Sequence, residues 1–218
     1  MPDPDNIIRI RPDCPDPDAI KRGGEIIRNK GVVIFPAQTL YGLAADALDP
    51  SAIKKIFDLK KRPASKPILV LIEKQEQIPD LVRSIPRAAK ILMDRFWPGG
   101  LTLVFEASPA LPQALTAGTG KIGIRIPAQV AALDLVKAAG RPVTGTSANL
   151  SGAPGCSDPG RLPRSMIQNA DLLLDAGPLK GGPGSTILDI TTDPVTILRK
   201  GSVSGQAISH AMDMAAFP

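Results

Sequence analysis

The amino-acid sequence predicts an α/β fold: a single domain in which helices flank a twisted, open sheet of mixed parallel and antiparallel strands. Three observations lead there. Short all-apolar runs such as Val32-Val33-Ile34-Phe35 and Ile68-Leu69-Val70-Leu71-Ile72 read as strands buried on both faces. Helical patterns alternate with these runs, and a few strands follow one another directly, as in a mixed sheet. No internal repeat or long low-complexity linker divides the 218 residues, a length that one large domain accounts for.

In order, residues 1–15 read as an extended arm in which Ile7-Ile8-Arg9-Ile10 is a short edge strand. Asp16 or Asp18 caps a helix to about residue 29, with Ile20, Ile26 and Ile27 inward and Gly31 as its stop. The strand at 32–35 ends in a polar turn over 36–42. Ser51 caps a helix over 52–59, which leads through a basic stretch into the strand at 68–72. Helical patterns cover 75–84 and 86–96, the second opening on Pro86. Trp97-Pro98-Gly99-Gly100 breaks the chain before a strand at 101–105. Lys121-Ile122-Gly123-Ile124-Arg125-Ile126 alternates as a strand closed by Pro127, and a helix follows over 128–139. Strands are expected at 142–146, 172–174, 185–190 and 195–198, and a last helix over 204–214.

Composition excludes several functions. One Trp, one Tyr and five Phe are too few for the stacking platforms of single-strand nucleic-acid binders. Cys14, Cys156 and His210 are too scattered for a disulfide framework or a zinc site, and side chains are expected to supply no metal ligands. The N-terminus is acidic and proline-rich, unlike a signal peptide, and no apolar run approaches a membrane span; a soluble, cytoplasmic protein is expected. A net charge of +5 suits an anionic small molecule or a nucleic acid equally.

The chemistry gathers where strands end in turns of Thr, Ser, Asn, Lys or Arg. The stretch Lys60-Lys61-Arg62-Pro63-Ala64-Ser65-Lys66 carries four cations in seven residues. By itself it reads either as the solvated end of a helix or as a clamp for a polyanion. Thr39, Lys121, Arg125, Ser147, Asn149, Ser185 and Arg199 fall in comparable places. In open α/β sheets ligands collect where such loops converge, so a cationic concave cleft lined with hydroxyl and amide donors is expected. Neither a Walker A loop nor a GxGxxG fingerprint is present. A nucleotide would therefore be held more by side-chain cations than by a backbone cradle.

Several blocks carry a family resemblance. Phe35-Pro36-Ala37-Gln38-Thr39-Leu40-Tyr41-Gly42-Leu43 resembles the FPTETVYGLG signature of the YrdC-like threonylcarbamoyl-AMP synthases. Lys60-Lys61-Arg62 matches their KxR motif, and Ser147-Ala148-Asn149 their SxN motif. Phe96-Trp97-Pro98-Gly99, Gly123-Ile124-Arg125-Ile126-Pro127, Ser185-Thr186-Ile187-Leu188-Asp189 and Leu198-Arg199 resemble further family blocks in the same order, over about residues 20 to 202. The resemblance implies a YrdC-like domain that converts ATP, L-threonine and bicarbonate or CO2, with Mg2+, into threonylcarbamoyl-AMP and pyrophosphate. A threonylcarbamoyl-transferase complex downstream would pass the group to the adenosine beside the anticodon of tRNA.

The resemblance also assigns residues. Lys60, Arg62, Ser147 and Asn149 would form the catalytic group. Arg62, Lys66, Lys121, Asn149, Ser157 and Arg199 would hold ATP. Thr39, Arg125, Ser147 and Ser185 would hold threonine, with Arg125 on its carboxylate. The chain departs from the pattern at Ala37, usually Thr, and at Leu71, where many members carry a histidine near threonine. Lys66 and Lys121 stand where relatives often have Asn and Thr. From a different class, a double-stranded RNA or tRNA-binding module that uses the basic cleft is the alternative reading.

Overall fold

Eleven strands and seven α-helices form among residues 6–214, the part of the chain that the computed structural model describes. Residues 1–5 of the expected N-terminal arm lie outside the described residues. The strands build two mixed sheets rather than the single sheet expected. The five-stranded sheet runs, from one edge, β1 (Ile7–Arg9), β9 (Leu172–Asp175), β2 (Val33–Pro36), β3 (Tyr41–Ala44), β8 (Thr146–Ser147). The six-stranded sheet runs β11 (Thr196–Arg199), β10 (Thr186–Asp189), β5 (Leu101–Glu106), β6 (Lys121–Arg125), β4 (Val70–Leu71), β7 (Val143–Thr144).

The division into two sheets happens at Gly145. The strand expected over 142–146 is two short strands: β7 pairs with β4 in one sheet and β8 with β3 in the other. A Cβ on Gly145 would lie 2.6 Å from Leu69 Cδ1 and 2.7 Å from Leu71 Cγ, so only glycine passes here without moving those leucines. Two further strands are corrected. In the 68–72 run all but the half-buried Leu69 are buried, but its ladder shrinks to β4; the turn over 36–42 hides the start of β3, which pairs back antiparallel on β2.

The helices follow the apolar spacing closely. α1 (Pro17–Arg28) is capped by Asp16, whose carboxylate accepts from the backbone N–H groups of Asp18 and Ala19. α2 (Pro50–Lys60) begins at Asp49 rather than Ser51: the Asp49 carboxylate accepts from the N–H groups of Ser51 and Ala52, and Pro50 takes the first helical position. The helix expected over 75–84 shortens to a 3-10 turn, Gln75–Asp80, that contains Pro79. α3 (Arg87–Phe96), α4 (Gln113–Thr116), α5 (Val130–Ala139), α6 (Arg164–Asn169) and α7 (Gly205–Met214) complete the set.

Two apolar cores meet at β2. Val33 and Phe35 face a layer formed with α1 and α5, which includes Ile20, Ile27, Leu135 and Val136. Ile34 faces the larger core with Leu103, Phe105, Ile122 and Ile124 of the six-stranded sheet. Burial of both faces is what the unbroken apolar run predicts.

Candidate active site

Period-2 alternation in the six-stranded sheet produces the site. Leu103, Phe105, Ile122 and Ile124 point into the core, so Thr102, Val104, Lys121, Gly123 and Arg125 face the other way. That second face forms one wall of a cavity of about 660 Å³, large enough for a nucleotide-sized ligand. The opposing wall comes from the five-stranded sheet and its turns, including Thr39, Tyr41, Ser147 and Asn149, and the glycine-rich segment 182–185 contributes to the rim. Arg62, Lys121, Arg125 and Arg199 line the cavity, and among the described residues no carboxylate does.

Arg125 is the most informative of the four. It is 8% exposed. Among the described residues its Nε has no hydrogen-bond partner and its guanidinium joins no ion pair. Burial, with the charge of Arg199 beside it, pulls its pKa down to about 10, so it remains a cation at neutral pH. A buried guanidinium with no counter-ion is costly unless an anion arrives to pair with it. Its cross-strand neighbour on β4 is Leu71, the residue named above as a departure from the family pattern, which lines the cavity; an apolar side chain thus flanks the cation. On the other side stands Thr102, whose hydroxyl is 2.9 Å from that of Ser185. Arg199 donates to the Ser185 carbonyl at 2.8 Å and to its hydroxyl at 3.1 Å, which ties β11 to the site.

Lys121 pairs with the buried Asp189 at 2.8 Å. Burial opposes ionisation of Asp189, but the hydrogen bonds from Lys121 and Thr191 prevail and hold its pKa below the usual carboxylate value. Arg62 follows Lys61, which adopts a left-handed conformation at the end of α2 (φ 48°). The Arg62 guanidinium donates to the carbonyls of Lys66 (3.1 Å) and Pro67 (2.7 Å), and burial lowers its pKa.

Three assigned residues do not line the cavity. Lys66 is exposed and Ser157 is half-buried; both contribute main-chain acceptors, the Lys66 carbonyl accepting from Arg62 and the Ser157 carbonyl from Leu179. Lys60 lies behind the wall, 1% exposed, with its ammonium on the carbonyl of Ser147 and on the carbonyl and side-chain oxygen of Asn149 (2.8 and 3.2 Å). Burial, then the charge of Arg62, brings its pKa down to about 8.

Sequence reasoning passed over Tyr41 and Thr102. The buried Tyr41 hydroxyl donates to the Gly177 carbonyl (2.8 Å) and accepts from the Ala176 N–H (2.9 Å), and burial pushes its pKa up to about 12. It anchors the segment that leads to the glycine-rich rim. Thr102 had a legible signal, a lone hydroxyl inside an apolar strand.

Residues 25–201 match the Sua5/YciO/YrdC family profile, described as "Telomere recombination". The chain belongs to this family. It is 38% identical over 193 residues to a threonylcarbamoyl-AMP synthase of Pyrococcus abyssi, a match that covers 88% of this chain and 57% of that one. A threonylcarbamoyl-AMP synthase of Bacillus subtilis is 38% identical over 190 residues, covering 87% of this chain and 55% of its own length. The crystal structure of Pyrococcus abyssi Sua5 complexed with L-threonine superposes with a TM-score of 0.90 at 35% identity, over 94% of this chain and 60% of that chain. The chain spans a little over half the length of the curated relatives it matches.

Proposed function

We propose that this domain is a threonylcarbamoyl-AMP synthase that joins L-threonine, CO2 or bicarbonate and ATP. Family membership and the named relatives support the reading. The observation that carries it is Arg125, a buried guanidinium that among the described residues has no counter-ion, in a cavity that three further cations and, among those residues, no carboxylate line. The threonine carboxylate pairs with Arg125, in the fork geometry that guanidinium offers a carboxylate. The threonine amine and CO2 form a carbamate and release a proton. A carbamate oxygen then attacks the α-phosphorus of ATP, the new P–O bond forms, and the bond to pyrophosphate breaks.

Both partners in that step are anions, so charge neutralisation and alignment dominate the barrier. Arg62 and Arg199, which line the cavity, would take phosphate oxygens, and Lys121 adds a cation already half-satisfied by Asp189. Mg2+ enters with ATP as its phosphate complex. The reading carries with it a nucleotidyl transfer, a cytoplasmic setting, and a downstream complex that moves the threonylcarbamoyl group to tRNA. No helix among the described residues is long and apolar enough to cross a membrane.

The test is pyrophosphate release from ATP by purified protein, with the adenylate sought by mass spectrometry. Release that requires both L-threonine and bicarbonate is expected; threonine-independent turnover, or none, overturns the reading.

A further inference from the structure

The side chain of Lys60 is fully buried, and among the described residues it has no carboxylate partner. All three of its hydrogen bonds go to one turn, at the carbonyls of Ser147 and Asn149 and at Asn149 Oδ1. The main chain joins there as well: the Ser151 N–H donates to the Lys60 carbonyl at 2.8 Å. An ammonium can only donate, so the Asn149 atom it meets must be the amide oxygen, which settles the orientation of that amide. The second lone pair of Oδ1 accepts the Ser147 hydroxyl, while Nδ2 donates to the carbonyls of Leu150 (2.9 Å) and Ala153 (2.6 Å). Both acceptor positions and both donors of Asn149 are then filled. Ser147 therefore lines the cavity with its proton committed to Asn149 and, among the described residues, both lone pairs of its hydroxyl free to accept.

We propose that Lys60 is a positioning residue that acts through Asn149 to present the Ser147 oxygen as a hydrogen-bond acceptor. The substrate group it receives is an N–H donor, the amine of the amino acid, rather than a phosphate oxygen. This rests on the threonine reading above. It divides the labour at the amino-acid end: Arg125 supplies donors to the carboxylate, and Ser147 supplies the acceptor for the adjacent nitrogen. A phosphate alone, which has no N–H donor beside a carboxylate, cannot use the pair in the same way.

The test is calorimetric titration of L-threonine and, separately, of ATP into wild type, Ser147→Ala, Lys60→Met and the double variant. Each single change is expected to weaken threonine about tenfold, about 1.4 kcal/mol, and Ser147→Ala to leave ATP within about twofold. The double variant is expected to lose no more than about twofold beyond either single one, because both break the same chain of contacts. An additive, roughly hundredfold loss in the double variant, or a larger loss for ATP than for threonine in Ser147→Ala, overturns the proposal.

If Lys60→Met does not fold, Lys60→Gln takes its place, keeping a donor for Asn149 Oδ1 and recovering part of the threonine affinity. An arm that needs no Lys60 variant uses 3-hydroxybutyrate, threonine without its amine, followed by ligand-observed NMR. Its affinity is expected to be the same for wild type and Ser147→Ala, and a tenfold loss there overturns the assignment of the amine. Wild type that binds no threonine overturns the functional reading and this inference with it. Wild type that binds threonine while Ser147→Ala binds it unchanged overturns this inference alone.

Discussion

Replacing Arg125 by methionine separates what the residue does for the fold from what it does for the ligand. In the ligand-free protein its Nε is buried without a partner among the described residues, and Arg199 stands near it as a like charge. An unsatisfied buried donor costs about 1–3 kcal/mol. Methionine keeps much of the stem, fills the site beside Leu71 and removes both penalties. Arg125→Met is therefore expected to raise the stability of the ligand-free protein by about 1–3 kcal/mol. For a chain of this size each kcal/mol is roughly 2–4 °C in Tm. On the proposed reading the same change also removes two charged hydrogen bonds to the threonine carboxylate, and about 3 kcal/mol corresponds to at least a hundredfold loss of affinity. Thermal melts with and without L-threonine report both effects, since a ligand that binds only the folded state raises Tm. Arg125→Lys keeps the charge without the fork, so it is expected to lie between the two in affinity. A fall in the ligand-free Tm of Arg125→Met, or a threonine-induced shift equal to that of wild type, would refute the argument.

Three further outcomes follow from the same geometry. Arg62→Ala is expected to fold and to lose most adenylate formation, at least tenfold in kcat/KM; near-normal turnover removes Arg62 from the phosphate site. Lys60 makes stability depend on alkaline pH. Because its folded pKa of about 8 lies below the ordinary 10.5, the unfolded chain binds a proton between those values that the folded protein has released. Wild-type stability measured against Lys60→Met by denaturant titration should thus rise by about 1–3 kcal/mol as pH goes from 8 to 10.5; a flat difference contradicts the burial argument. Gly145→Ala is expected to cost about 1–3 kcal/mol by driving Leu69 and Leu71 from their positions. Pairing it with Leu71→Val should restore part of the loss in the same denaturation assay, whereas an unchanged cost would place the strain elsewhere.

Much of the fold could be read directly. The alternation of Lys121, Gly123 and Arg125 against Ile122 and Ile124 places the cations on one face of a strand, and the apolar run at 32–35 announces burial on both sides. Those patterns are local, because a side-chain period of two or 3.6 is a property of neighbouring residues. The division into two sheets was not legible, since a stretch of five residues over 142–146 looks like one strand whichever partners its halves take. Asp49 outcompeted Ser51 as a helix cap because Pro50 favours the first helical position, a contest that spacing alone leaves open.

The basic stretch with Lys60 at its head shows the same boundary at the site. Its sequence establishes that four cations and a proline follow a helix, and the order of the motifs establishes the family. Which of those cations faces a ligand was decided by tertiary structure. Arg62 and Lys60 are two residues apart, yet one lines the cavity and the other is buried under a turn 87 to 89 residues further along the chain. Burial of a charge depends on what the rest of the chain packs around it and on which carbonyls it can satisfy. Neither is encoded in the neighbouring residues, so an ammonium that reads as a surface group became the buried support of Ser147 and Asn149.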